Sequence, residues 1–161
     1  MKRILIISLC VLSLIILAFA LSSCKKEYSV TFNTDGGSVI IPQTVEDGNL
    51  AIEPKDPTKE GHNFLGWYLN DNEYKFISPV TEDITLTAKW EKASYTVTFD
   101  ANGGTGSTKK TVKHGDSVNA PFATKPKHTL LGWYNGDTQW NFKVDTVTSD
   151  ITLVAKWEPF S

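Results

Sequence analysis

The chain carries one unit twice, and this limits its fold more than any other property. "YSVTFNTDGG" (Tyr28–Gly37) returns as "YTVTFDANGG" (Tyr95–Gly104), 67 residues later. Thr44, Val45, Gly48 and Pro54 return at the same offset as Thr111, Val112, Gly115 and Pro121. "TKEGHNFLGWY" then aligns with "TKPKHTLLGWY" at an offset of 66, and Tyr74 and Phe76 fall on Trp140 and Phe142. One extra residue restores the offset, so that "VTEDITLTAKWE" (Val80–Glu91) meets "VTSDITLVAKWE" (Val147–Glu158). Only Lys92, Ala93 and Ser94 separate the copies. Repetition at such a period predicts one small fold built twice, each copy with its own core.

Within a copy the signals are those of strands. Tyr28, Val30 and Phe32 alternate with Ser29, Thr31 and Asn33, and Ile84, Leu86, Ala88 and Trp90 alternate with Thr85, Thr87 and Lys89. Period-two alternation marks a half-buried strand. "DGG" and "NGG" supply the positive φ angles of a tight turn, so a returning strand is expected at Val39–Val45 and at Thr108–Lys113. The second of these is mostly polar, which predicts a sheet edge. No long helix can be placed; Asn72–Ser78 and Gln139–Val144 hold one or two helical turns at most. The fold class is therefore mainly β, or α+β at most.

A unit of this length buries only about 60% of its unfolded surface, so it needs large core side chains. Trp67, Trp90, Phe32, Phe64 and Tyr74 are expected to fill the first core, and Trp133, Trp157, Phe99, Leu130 and Trp140 the second. In each "LGWY", alternation sends Leu65 and Trp67 one way and Gly66 and Tyr68 the other. Leu65 with Trp67 is expected inside. Tyr68 and Tyr134 are then the more exposed pair and the candidate contact surface.

The N-terminus reads separately. Lys2 and Arg3 precede an apolar run from Ile4 to Leu21, followed by "LSSC" ending at Cys24. Eighteen residues can span a bilayer, so a retained anchor helix is the competing expectation. Small residues immediately before a cysteine favour the other outcome, because this pattern resembles the bacterial lipobox. The resemblance implies cleavage before Cys24 and a lipid on its thiol. Removal of residues 1–23 takes Cys10, Lys2 and Arg3, leaving 14 lysines against 18 acids, a balance of about −4. With no free thiol, neither a disulfide nor a cysteine metal site is expected. The acidic balance and absence of a basic stripe argue against nucleic acid as a partner.

Together "YTVTFDANGG", "TKEG", "LGWY", "WNF" and "VTSDITLVAKWE" resemble the Listeria–Bacteroides repeat, the B-repeat of internalin-type surface proteins. The resemblance covers each copy from end to end. It implies compact β-grasp-like units in tandem on exported or surface-attached bacterial proteins, acting in adhesion or display rather than catalysis. Copy two departs at Pro126 and Lys127, which replace Glu60 and Gly61, so its loop there is expected to differ in shape.

"GGTGSTKKT" (Gly103–Thr111) lacks the Gly-Lys-Ser/Thr ending of a phosphate loop and joins two strands, which predicts a hairpin turn. "NTDGG" begins like a calcium loop, but its twelfth position is Pro42 where a bidentate Glu is required. His62 and His128 are equivalent and lack a second His or Cys at ligand spacing, so half-exposed rings flanking the core are expected. Acids such as Asp35, Asp83 and Asp150 sit in turns or just ahead of strands, and a duplicated unit argues against a single asymmetric catalytic site unless one forms between the copies.

The expected organisation is a signal peptide over 1–23, a lipid-anchored linker over 24–27, and repeat domains at 28–91 and 95–158. The expected protein is a membrane-attached, non-enzymatic lipoprotein of the cell envelope, exported and surface-exposed. Its partners are the membrane through the lipid on Cys24, and host or envelope proteins or glycans. No cofactor, metal, nucleic acid or small-molecule substrate is expected. Lys25, Lys26 and Glu27 span on the order of 10 Å, which places the first repeat almost on the membrane.

Overall fold

The computed structural model describes residues 25–160, which form ten strands in two five-stranded sheets. Cys24 and the leader before it lie outside the described residues. Repeat one comprises β1 (Glu27–Asn33), β2 (Gln43–Glu46), β3 (His62–Leu69), β4 (Asn72–Glu73) and β5 (Ile84–Lys92). Its sheet order is β2-β1-β5-β3-β4. Repeat two comprises β6 (Ser94–Asp100), β7 (Thr108–Lys113), β8 (His128–Asn135), β9 (Thr138–Gln139) and β10 (Ile151–Pro159), in the order β7-β6-β10-β8-β9. The described residues contain no helix. The chain is thus two tandem small β domains.

In repeat two the first and last strands lie side by side and parallel, from Val97↔Ile151 to Asp100↔Val154. Their partners, β7 and β8, are antiparallel. The DITL motif fixes this arrangement. Asp150, just ahead of β10, accepts the main-chain N–H of Thr96 at 2.7 Å, and Asp83, just ahead of β5, accepts that of Ser29 at 2.8 Å. A carboxylate on a strand N–H is a charge-assisted bond, worth about 1.5–3 kcal/mol.

The core of repeat two joins Val97 and Phe99 of β6, Trp133 of β8, and Leu153 and Ala155 of β10 to Ala101, Val118 and Val147 from the connections. Phe99 meets Trp133 edge to face at 5.0 Å, as Phe32 meets Trp67 at 4.9 Å in repeat one. Such pairs add about 0.5–1.5 kcal/mol beyond the area they bury. Trp90, Phe64, Trp157, Leu130 and Trp140 are partly buried around these centres.

Three expectations need correction. Leu65 does not share the core with Trp67: it is 50% exposed, as Leu131 is 47% exposed. The cause is a bulge. Phe64 pairs with Trp90 and Gly66 with Lys89, so Leu65 is an extra residue and alternation restarts after it. Phe64 thereby joins Trp67 on the inner face, with ring centres 5.5 Å apart.

The strand expected at Val39–Val45 shrinks to Gln43–Glu46, whereas Thr108–Lys113 forms as expected and lies at the sheet edge. After the turn at Asp35 and Gly36, Ser38 donates to the carbonyl of Thr58 at 2.8 Å, which draws Val39–Pro42 away from β1. Asn72–Ser78 contributes the two-residue strand β4 rather than helical turns. Its counterpart makes a single turn in which Val144 and Asp145 donate to Asn141.

Candidate functional site

The candidate contact residues Tyr68 and Tyr134 sit near the ends of β3 and β8, on the face opposite Trp67 and Trp133. Tyr68 stands opposite Thr87 and Glu73, and Tyr134 opposite Val154 and Gln139. Both are half-buried. Each ring carries an ammonium: Lys89 Nζ is 4.1 Å from the Tyr68 centroid, and Lys156 Nζ is 4.3 Å from that of Tyr134. Lys89 is level with Gly66 across the ladder, and Lys156 with Gly132. The space left by the missing side chain is taken up by Glu73 beside Gly66 and by Gln139 beside Gly132. A cation over a phenol is attracted by the negative face of the ring.

The charges beside these pairs are balanced locally. Glu73 pairs with Lys75, and Asp137 lies 3.4 Å from Lys156. The lysine-covered face of each tyrosine is occupied, so a flat sugar cannot stack on that side. The site instead offers paired hydrogen-bond donors, a phenol and an ammonium, at the same place in both repeats. Lys89 and Lys156 were missed by sequence reasoning. Alternation puts them on the outer face, but only the ladder register shows them over the tyrosines.

Residues 28–89 and 95–156 each match the Listeria–Bacteroides repeat domain. The chain belongs to that family. Among its relatives are two proteins of Evansella cellulosilytica, one named as a membrane protein and one as a Gly-rich membrane protein. They are 40% and 41% identical over 139 residues, or 81% of this chain, and only 21% and 16% of their own lengths. Internalin H of Listeria monocytogenes is 36% identical over 142 residues, covering 82% of this chain and 25% of that protein. The chain thus spans a quarter or less of these relatives.

The two Listeria–Bacteroides repeats account for the other residues singled out in the sequence. His62 and His128 are half-buried and turn Nδ1 to the carbonyls of Glu60 and Pro126, at 2.8 and 2.7 Å. The side chains of Asn33 and Asp100 accept the N–H two residues on, from Asp35 and Asn102. These are the local bonds that asparagine and aspartate make in turns. The lysine-rich segment after Gly104 is strand β7, where Lys110 donates to the carbonyl of Asn119 at 2.8 Å.

The departure at Pro126 and Lys127 leaves the loop unchanged, contrary to expectation. Lys127 has φ +58° where Gly61 has +65°, and the same bridges, Lys59↔His62 and Lys125↔His128, close both loops. Gln139, Trp140, Asn141, Phe142 and Lys143 line an open depression of about 490 Å³ in repeat two. The indole N–H of Trp140 is buried there without an acceptor among the described residues. Tyr74, its counterpart, has a phenol pKa raised by burial.

Proposed function

We propose that this chain is a lipid-anchored bacterial surface protein whose two Listeria–Bacteroides repeats act in adhesion, protein interaction or display. The observation that carries this reading is the pair of complete family repeats in tandem, directly after an apolar leader that ends in "LSSC". Its likeness to Internalin H and to proteins named for the membrane supports the same placement. The reading is non-enzymatic: binding would come from a surface carried by each repeat, without chemical turnover.

Two experiments test it. Cys24→Ser is expected to leave an unprocessed precursor that takes up no lipid label, and unchanged labelling refutes the anchor. Residues 25–161, presented on beads, are expected to bind cell surfaces or matrix proteins above a scrambled control, and no binding across both counts against adhesion.

The alternative of a glycan-binding module draws on the repeated Tyr68–Lys89 and Tyr134–Lys156 pairs, whose donors suit an acidic sugar. It predicts retention on acidic glycans that Lys89→Met with Lys156→Met abolishes. Silence across a glycan array removes it, leaving a structural spacer.

A further inference from the structure

At several positions repeat one presents apolar side chains where repeat two presents polar ones, although repeat two exposes Phe122 and Val144 elsewhere. Leu50 and Ile52 are 52% and 77% exposed. They flank the buried Ala51, so alternation drives both outward. The equivalent positions of repeat two are Ser117 and Asn119, also exposed, around the buried Val118. The burial pattern is therefore the same while the surface chemistry differs. Val39 and Ile41, likewise exposed, have Gly106 and Thr108 as counterparts.

Ile52 is held in place. The amide of Gln43 accepts its N–H at 2.9 Å and donates to its carbonyl at 2.6 Å. Leu50 bridges Pro79 in antiparallel sense, which brings the 77% exposed Ile77 along the same segment. This apolar group also lies where the chain enters the repeat. The carbonyl of Lys26 accepts the N–H of Asp47 at 2.8 Å. Leu50 is three residues beyond Asp47, a reach of about 10 Å, and Cys24 is two residues before Lys26, about 7 Å.

We propose that Leu50, Ile52 and Ile77 form a docking face for the lipid surface of the membrane that holds the anchor. This rests on the lipidation of Cys24 proposed above. A bilayer interface takes up apolar side chains to a depth of several ångströms. The repeat next to the anchor is joined to it by so short a linker, and it carries leucine and isoleucine at positions 50 and 52 where repeat two has Ser117 and Asn119.

The test uses the full lipidated chain in vesicles of phosphatidylethanolamine and phosphatidylglycerol that carry a nitroxide on the acyl chain. A fluorophore is attached at Ile52→Cys or, for comparison, at Asn119→Cys. The expected result is about threefold stronger quenching at position 52 than at 119. It should fall to the level at 119 when Leu50→Asn and Ile77→Asn are added. Equal quenching at the two positions overturns the proposal. So does an unquenched label at 52 when the unlabelled Ile52→Cys chain forms disulfide-linked dimers under air oxidation, which assigns the face to a second copy. Dye uptake by the unsubstituted chain reports a free thiol, on Cys24 or on Cys10 of an uncleaved leader. That result identifies failure of the lipid anchor, and the docking face falls with it. If the unsubstituted chain takes up no dye and positions 52 and 119 quench equally, the anchor stands and the docking face alone fails.

Discussion

The indole of Trp90 lies so close over Gly37 that a Cβ on that glycine would stand 2.6 Å from Cζ2. The same indole donates Nε1–H to the carbonyl of Thr34 at 3.0 Å. Trp157 repeats both relationships: a Cβ on Gly104 would stand 2.7 Å from its ring, and it donates to Ala101 at 2.8 Å. The double glycine thus has two jobs. Gly36 and Gly103 supply φ of +84° and +81° for the turn, and Gly37 and Gly104 clear space for the tryptophan that caps it.

A double-mutant cycle should expose this coupling. Gly37→Ala is expected to cost about 1–3 kcal/mol by overpacking. It should cost much less in a Trp90→Leu background, giving a coupling of at least about 0.5 kcal/mol. Denaturant midpoints of the four chains measure it, and additive costs would show that the ring yields freely.

Gly66 and Gly132 follow the bulged leucines with φ of +135° and +146°. Alanine there is strained, at a cost of about 1–3 kcal/mol. Gly132→Ala should be the worse of the two. Its Cβ would stand 2.5 Å from Gln139 Nε2, displacing the amide that donates to the Leu131 carbonyl at 3.1 Å. Thermal unfolding of each variant checks the order.

Asp83→Ala and Asp150→Ala leave the N–H groups of Ser29 and Thr96 without their carboxylates. Each is expected to cost about 1–3 kcal/mol. Amide exchange should quicken first at those two positions, and unchanged protection would contradict the role assigned to the DITL aspartate.

Lys127 adopts a left-handed φ of +58° with an exposed side chain. A residue with a Cβ pays about 1–2 kcal/mol for that conformation, partly offset by the extra unfolded-state freedom of glycine. Lys127→Gly is therefore expected to raise stability by about 0.5–1 kcal/mol. A lower melting temperature would mean that the lysine makes a compensating interaction.

Much of the fold was legible because its signals are local. Alternation placed β1, β5, β6 and β10, and the polar run at Thr108–Lys113 marked an edge strand. Leu65 was misplaced because a bulge has no local signature other than a glycine, and Gly66 also reads as an ordinary small residue. Val39–Pro42 was misplaced because a turn motif fixes its own four residues but not the partner of the chain that follows. That partner is Thr58, twenty residues beyond Ser38, and only the folded structure brings it close. At the candidate site the tyrosines were found by alternation, whereas the lysines over them depend on cross-strand register, which no single strand encodes.

The parallel pairing of β6 with β10 has a mechanical consequence. These strands lie at the two ends of repeat two, so tension applied between those ends pulls the strands in opposite directions along their shared ladder. The hydrogen bonds from Val97↔Ile151 to Asp100↔Val154 are then loaded together in shear, rather than opened one at a time as in a hairpin pulled from its tips. A repeat wired this way yields only when several bonds fail at once. It suits a domain tethered at one end and pulled at the other.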